Sequence, residues 1–560
     1  MSTRRESTLW EPSTVFMILG IGVVVTLSLI VTVGAHLWAA FNGVTDVSWN
    51  PFTLMLALMD QSLDPSGQAG WWMAATGGVI LVLVVATTVL VVRSRRGKTR
   101  RGDRAARLAG RGSDIAPITK GAVKAKAQRL GIKDAVGLPV GRTVAGDAQV
   151  MSSFEDVCLT VAGPRTGKTT AWVVPRIFAA PGAVVATSNK RDIVDETKQR
   201  RVEQTGQRAW VFDPQNLAGA TQSWWWNPLS YVTDFVQATA LADVFFSAGT
   251  PNGGKGKNEW ESWSCNLIAA MLLAAARGGL PITVLHRWLN DQTDDEPVLI
   301  LRAKGENMSA TSLQGILDLV PETRSGVYGG ASRIMNFLNN DSLMRWVTPV
   351  EGLDEFDPAE FVKTKQTLYC LSQEGRGSAT QVVTALTVAV VEEAVKYAAA
   401  QQGGRLSVPM LIELDEAANV CRWAELPDQY SHFGSRGICV DTVLQSWSQG
   451  TSVWGEAGMK KLWSAANLKV YGGGVSEPEF LRLVSDLIGV HYVDSMQVSS
   501  SPQGRSYSTS KGSQQRPIAT VADLQALPQG RAWVFASGAV ATLIRLIPFW
   551  EQPQLSEVQN

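Results

Sequence analysis

Two short stretches of this chain combine residue types that handle phosphate. The first is AGPRTGKTT at 162–170. An apolar run at 156–161 reads as a buried strand before it, and a helical pattern opens after it. That is the strand–loop–helix setting a phosphate-binding loop needs, because the loop's backbone N–H groups and the helix N-terminus then face one anion. Gly163, Pro164, Arg165, Thr166, Gly167, Lys168, Thr169 and Thr170 are the expected cradle. Lys168 is expected to reach the β- and γ-phosphates of ATP, and Thr169 to offer its hydroxyl to Mg²⁺. Gly167 permits close backbone approach, where a Cβ would collide with the ligand. The strict pattern has a glycine where Ala162 stands, so Gly163 is expected to take over the turn.

The second stretch is SVPMLIELDEAANV at 407–420. An apolar strand over 410–414, broken only by Glu413, delivers Asp415 to its C-terminal end, where a carboxylate can hold the Mg²⁺ shell. Glu416 is placed to polarise an attacking water as general base. Loss of a γ-phosphate is mainly a matter of positioning and charge neutralisation, so these few groups suffice in principle. A further strand, 438–444, ends in Gln445-Ser446, and Gln445 is the candidate sensor of the γ-phosphate. Arg436 stands at the turn before that strand. It reads equally as a surface arginine and as one acting in trans within a ring of subunits.

Around these groups, apolar runs at 182–188 and 208–213 alternate with a charged helix near 191–205, and β-like runs return at 367–372, 532–536 and 541–547. Strands alternating with helices predict a mostly parallel sheet covered on both faces. Lys168 and Asp415 are much further apart than a minimal P-loop domain requires. Between them, 234–350 shows helical periodicity, with Trp260, Trp263, Leu267, Ala270 and Met271 spaced as one core-facing stripe. The expected fold is α/β: a RecA-like P-loop NTPase domain with an inserted all-α domain and an N-terminal two-helix transmembrane hairpin. The expected divisions are 1–92 (spans near 15–40 and 71–92), a basic cytoplasmic linker at 93–135, the first part of the nucleotide-binding domain at 136–233, the insert at 234–350 and the second part at 351–550. Within the last, Ser/Gln/Gly-rich 496–515 reads as a disordered loop.

Both apolar runs lack formal charge, and the first is too long for the ~7–15-residue core of a signal peptide, although Arg4 and Arg5 precede it. Trp38, Trp71 and Trp72 suit membrane interfaces. Residues 42–70 carry Asp46, Asp60 and Asp64 but no Lys or Arg, whereas 93–133 carries a charge of +12, with Arg93, Arg95, Arg96 and Lys98 at its start. The positive-inside rule then puts both termini in the cytoplasm. The formal net charge of +1 therefore hides a division: +8 over residues 1–150 and −7 over the remainder. Five cysteines with no CxxC pair exclude a zinc ribbon and a disulfide scaffold, and four histidines argue against a His-rich metal enzyme.

These residues together resemble one family, the coupling-protein ATPases of type IV secretion and bacterial conjugation. The resemblance rests on the two-span hairpin, GPRTGKTT, SNKRDIV at 188–194, VFDP at 211–214 and WNPL at 226–229. It extends to the helical insert, LDEAANV, VLQS at 443–446 and the tail RPIATVADLQALPQGRAWVF at 516–535. It departs from the family at Ala162 and in having no long acidic C-terminal tail. The resemblance implies a homo-hexameric motor in the bacterial inner membrane, with ATP and Mg²⁺ at subunit interfaces. It would move single-stranded DNA with its relaxase and relaxosome proteins toward the channel components. Two other readings are a ring translocase of the septal, double-stranded DNA-pump type and a nucleotide-binding membrane scaffold. The tryptophans at 224–226 are expected to pack at a domain junction rather than to stack on bases.

Overall fold

The computed structural model describes residues 12–60, 69–95, 101–133, 135–250, 257–375, 377–500 and 507–552. Arg4, Arg5, Asp64, Arg96 and Lys98 lie outside the described residues.

Eleven strands form one sheet. Seven run parallel, in the order Leu468–Tyr471, Cys158–Val161, Ile438–Leu444, Met410–Leu414, Val184–Ser188, Thr367–Leu371 and Ala209–Phe212. Arg531–Ala536, Thr542–Arg545, Leu138–Thr143 and Gln149–Ser152 extend it antiparallel beyond Leu468–Tyr471. The central strands are buried end to end, and alternate residues of one strand enter different cores. Leu159 and Val161 join one apolar cluster while Cys158 joins the other; Ile412 and Leu414 oppose Leu411 in the same way. This two-faced burial is why the strands read as continuous apolar runs.

Polar side chains interrupt one of those faces. Glu413 and Asp441 lie directly opposite each other on adjacent parallel strands. Arg176, on the helix Val174–Ala179 that follows the phosphate loop, reaches between them. Its Nε is 3.0 Å from Asp441 Oδ2 and 3.5 Å from Glu413 Oε2, with all three side chains shut off from solvent. Its other nitrogens reach Ser152 Oγ at 3.2 Å and Cys158 Sγ at 3.5 Å, and Trp172 Nε1 donates to Asp441 Oδ2 at 2.5 Å. Burial raises both carboxyls above their ordinary range, with the Arg176 guanidinium opposing it.

Between Ala209–Phe212 and Thr367–Leu371 the chain is mostly helical. Phe235–Gly249, Glu259–Gly278, Val284–Asn290, Glu296–Ala303, Asn307–Leu317 and Pro321–Ile334 pack around Glu259–Gly278, which is buried almost all round from Ser264 to Ala275. Asn258 starts that central helix with a reciprocal cap to Glu261. The expected apolar stripe breaks at its first member. Trp260 is 51 % exposed, because it lies over the surface of the neighbouring helix at Gly326, where a Cβ would come within 3.1 Å of the indole. Trp224 and Trp226 are buried. Trp224 packs edge-on against Trp210 and Trp346, and its Nε1 donates to the Val211 carbonyl, so its ring face is closed to nucleic-acid bases.

Two segments differ from their sequence-based expectations. Residues 101–133, expected as part of a linker, fold against the sheet-bearing body. Ile115, Ile118, Val123 and Ala127 are buried, Arg531 holds Asp103 at 2.7 Å, and the Gly110 N–H donates to the Ala541 carbonyl. These apolar residues lie among the basic ones, and the local charge obscured them. In the expected disordered segment, Val490–Ser500 and Tyr507–Pro517 pair as a two-stranded ribbon, and 501–506 lie outside the described residues. Such pairing satisfies backbone polar groups without requiring an apolar face.

The N-terminal unit contains helices Pro12–Asn42, Pro51–Met59 and Ala69–Arg95. The first and third cross closely at Gly34, where a Cβ would be 2.7 Å from Met73 Cα. Phe41 stacks on Trp72. Among the described residues, one helical window, Val25–Asn42, is long and apolar enough to cross a membrane, and a second apolar window, Ala69–Val82, is shorter.

The helix Thr380–Ala400 carries Glu392, which burial lifts to about 7, with the carboxylates of Glu425 and Glu393 adding to the rise. A raised carboxyl stabilises the fold fully at low pH. That contribution declines as pH climbs from the ordinary carboxyl range through about 7. Glu392→Gln should remove the decline. Chemical denaturation at pH 5 and pH 8 should show the unsubstituted protein losing about 1–2 kcal/mol more than the variant, less than the full 1.36 kcal/mol per unit because the side chain is part-exposed.

Candidate nucleotide site

The C-terminal ends of three neighbouring parallel strands bring the expected groups together. The strand carrying Gln445 lies between the phosphate-loop strand and the acid strand, so residues remote in sequence meet above one sheet edge. Lys168 Nζ is 3.5 Å from Glu416 Oε1. Gln445 Nε2 donates to the same oxygen at 2.7 Å, and Asn189 Nδ2 donates to Oε2 at 2.6 Å. Asn419 Nδ2 approaches Oε2 at 3.4 Å. The Glu416 backbone is left-handed, φ +54°, which is uncommon for a non-glycine residue and recurs where surroundings over-determine a functional group.

Asp415 is buried beside these groups. Burial lifts its carboxyl to about 7, Lys168 pulls it down and Glu416 raises it again. Its Oδ1 is buried without a hydrogen-bond partner, while its backbone carbonyl accepts from Thr187 Oγ1 at 3.1 Å. An orphaned buried carboxylate oxygen beside a phosphate loop fits a divalent cation. Among the described residues, no group of three or more His, Cys, Asp or Glu could hold a metal alone, so such an ion would need phosphate oxygens among its ligands.

Within the loop, Arg165 (φ +59°) and Gly167 (φ +87°) adopt left-handed backbone, and Thr166 Oγ1 donates to the Gly163 carbonyl at 2.9 Å. Thr169 opens a single wide π-type turn, Thr169–Val173, before Val174–Ala179 continues as α-helix; such turns recur at functional sites. Thr170 lies in that turn beside it. Pro164 completes the bend of the loop.

The residues that shape the loop from the other side were not legible as site residues. Gly472, Gly473 and Gly474 follow the Leu468–Tyr471 strand and lie against the loop. Gly163 N–H donates to the Gly473 carbonyl at 2.8 Å, and a Cβ at Gly163 would sit 2.1 Å from the Gly474 oxygen. The position occupied by Ala162 in place of glycine is accommodated from across the gap, because a Cβ at Gly472 would stand 2.7 Å from the Ala162 Cβ. The triple glycine was the available signal. Asn189 was likewise visible, inside SNKRDIV, without its role. Two other quoted motifs are turn formers: Asp213 accepts from the Leu217 and Ala218 N–H groups, and Asn227 Oδ1 from that of Leu229. Arg436 does not join the site of its own chain. It precedes the strand that ends at Leu444, about 20 Å away at ~3.3 Å per residue.

Because Gly472 has no left-handed backbone to protect, its need for glycine is purely steric. Gly472→Ala should lower stability by about 1–3 kcal/mol, the usual range for overpacking. Adding Ala162→Gly should restore most of it. A thermal-denaturation cycle over the two single variants and the double variant measures this; purely additive losses would contradict the contact.

The segment 409–529 matches the family described as the TraM recognition site of TraD and TraG. It spans Asp415, Glu416, Arg436, Gln445 and the triple glycine. The fold is similar to that of the bacterial conjugative coupling protein TrwBdeltaN70 in its trigonal, sulphate-bound form. That match has TM-score 0.56 at 16 % identity, over 78 % of this chain and 96 % of that one. It is similar also to the plasmid coupling protein TrwB in complex with ADP and Mg²⁺, with TM-score 0.53 at 16 % identity, over 76 % and 92 % of the two chains. No curated protein matches the sequence. The chain thus shares the fold of these solved coupling-protein structures, and its residues 409–529 match the family described as the TraM recognition site of TraD and TraG.

Proposed function

We propose that this protein is the membrane-anchored, ATP-driven coupling protein of a conjugative type IV secretion system. The observation that carries the reading is the set of contacts on Glu416. A phosphate-binding lysine, a sensor glutamine and Asn189, from three separate strand ends, converge on one carboxylate, that of the general base Glu416. The family segment at 409–529 favours this reading over a septal double-stranded DNA pump.

In this reading the backbone of 163–170 and Lys168 bind the β- and γ-phosphates of ATP, and Thr169 and Asp415 hold Mg²⁺. The ion supplies charge neutralisation on the phosphates when bound. Glu416 orients and polarises water. Gln445 reports the presence of the γ-phosphate, and its direct bond to Glu416 links the sensor to the base. Lys168 lies beside Glu416, so a phosphate held in the loop competes with that carboxylate for the ammonium. Arg436, at the far end of its strand, serves only a neighbouring copy, as an arginine acting in trans within a homo-hexamer. Helices Pro12–Asn42 and Ala69–Arg95 anchor the chain in the bacterial inner membrane with both termini cytoplasmic. The cargo is single-stranded DNA with relaxase, presented to the channel components, and the family segment's description points to a TraM-like relaxosome protein as the docking partner.

Full-length protein in detergent or nanodiscs should hydrolyse ATP in a Mg²⁺-dependent manner, faster with single-stranded DNA. Lys168→Ala and Glu416→Gln should each reduce the rate on the order of 100-fold to 1000-fold. Glu416→Gln should still bind ATP, since it leaves the phosphate loop intact. Wild-type hydrolysis by Lys168→Ala, or no hydrolysis by the unsubstituted protein with DNA and Mg²⁺, would leave the scaffold reading in its place.

A further inference from the structure

Glu416 and the helical insert are joined by a short route of hydrogen bonds, and it passes through Gln381. Asn419 approaches Glu416 Oε2 with its side-chain amide, and its backbone carbonyl accepts from Thr380 Oγ1 at 3.1 Å. Thr380 opens the helix Thr380–Ala400, and the next residue is Gln381. Gln381 Nε2 donates to two carbonyls of the insert, Phe245 at 2.8 Å and Ile334 at 2.7 Å. Phe245 lies just before the last turn of Phe235–Gly249, and Ile334 ends Pro321–Ile334, so one amide gathers carbonyls near the C-terminal ends of two helices. Gly249 leaves room for it: a Cβ there would stand 2.6 Å from Gln381 Nε2. Beside this junction lies a cleft of about 810 Å³, lined by Gly249 and Phe337 of the insert and by Gln381 and Asn419.

From this junction we infer that Gln381 is a positioning residue that couples the inserted helical domain to Glu416. A displacement of Phe235–Gly249 or Pro321–Ile334 pulls on the first turn of Thr380–Ala400. Through Thr380 and Asn419 it changes how firmly Glu416 is held. Ligands of the insert thereby gain control of nucleotide binding and hydrolysis, and for binding the control is reciprocal. The hydrolytic half of this inference rests on the proposed ATPase function; the mechanical half does not.

Gln381→Glu keeps the size of the side chain and removes its donors. Gly249→Ala crowds the same amide from the opposite side and serves if the first variant folds poorly. Hydrogen exchange on the full-length protein should show faster exchange in either variant at 245–250 and at 417–421. Faster exchange at 245–250 with 417–421 unchanged would overturn the coupling and leave Gln381 a local packing residue. Hydrolysis provides the second readout. In both variants the basal rate should stay within about twofold of the unsubstituted protein, while stimulation by single-stranded DNA falls about tenfold. Full stimulation in both variants would also overturn the inference. If the unsubstituted protein does not hydrolyse ATP at all, the proposed function fails and the exchange measurement still decides the coupling.

Discussion

A single guanidinium sealed from water holds the candidate nucleotide site in register. Arg176 belongs to the helix that follows the phosphate loop, and its two carboxylate partners belong to the acid strand and the strand beside it. Removing a charge from water is costly unless it is paired, and removing one partner of a buried pair typically costs about 3–5 kcal/mol. The helix, the acid strand and the sensor strand therefore cannot shift separately. Glu413 is two residues before Asp415, and Asp441 is four before Gln445, so the cluster braces the strand ends that carry Asp415 and Gln445 from within the sheet. A purely apolar core would tolerate small slides that this one resists.

On that base the site is assembled from loops that are individually permissive. Glu416 accepts a left-handed backbone because Asn189, Gln445 and Lys168 hold its carboxylate from different directions. The phosphate loop keeps its shape because three consecutive glycines approach it without side chains. One of them compensates for the methyl group at Ala162. The departure from the usual glycine pattern is thus absorbed by a partner more than 300 residues away in the chain. The same arrangement gives the one carboxylate two sides, since Oε1 faces Gln445 and Lys168 while Oε2 faces Asn189 and, through Asn419, the route to the insert.

Much of this architecture was legible beforehand. Strands buried on both faces are written as apolar runs, so Met410–Leu414 and Ile438–Leu444 could be read directly. Charge and length located the apolar helices of the N-terminal unit. The insert was visible as the place where a period of two gives way to one near 3.6. The failures have physical causes as well. The basic stretch at 101–133 concealed Ile115, Ile118, Val123 and Ala127, because net charge averages over a face that turns inward. Trp260 was assigned to the core by its spacing, yet the small residues of the neighbouring helix leave it on the surface.

The amino-acid sequence by itself determined which groups could bind phosphate and which could activate water. Those roles depend on side-chain chemistry and on the strand or helix end that each residue occupies, and both are local properties. Only the tertiary structure decided which groups meet. Strand order across the sheet does not follow from order along the chain, and it alone puts Lys168, Asn189, Glu416 and Gln445 at one edge. It also set the face-to-face packing of Ala162 with Gly472 and the reach of Gln381 into the insert. These are contacts between segments whose separation in sequence carries no record of their distance in space.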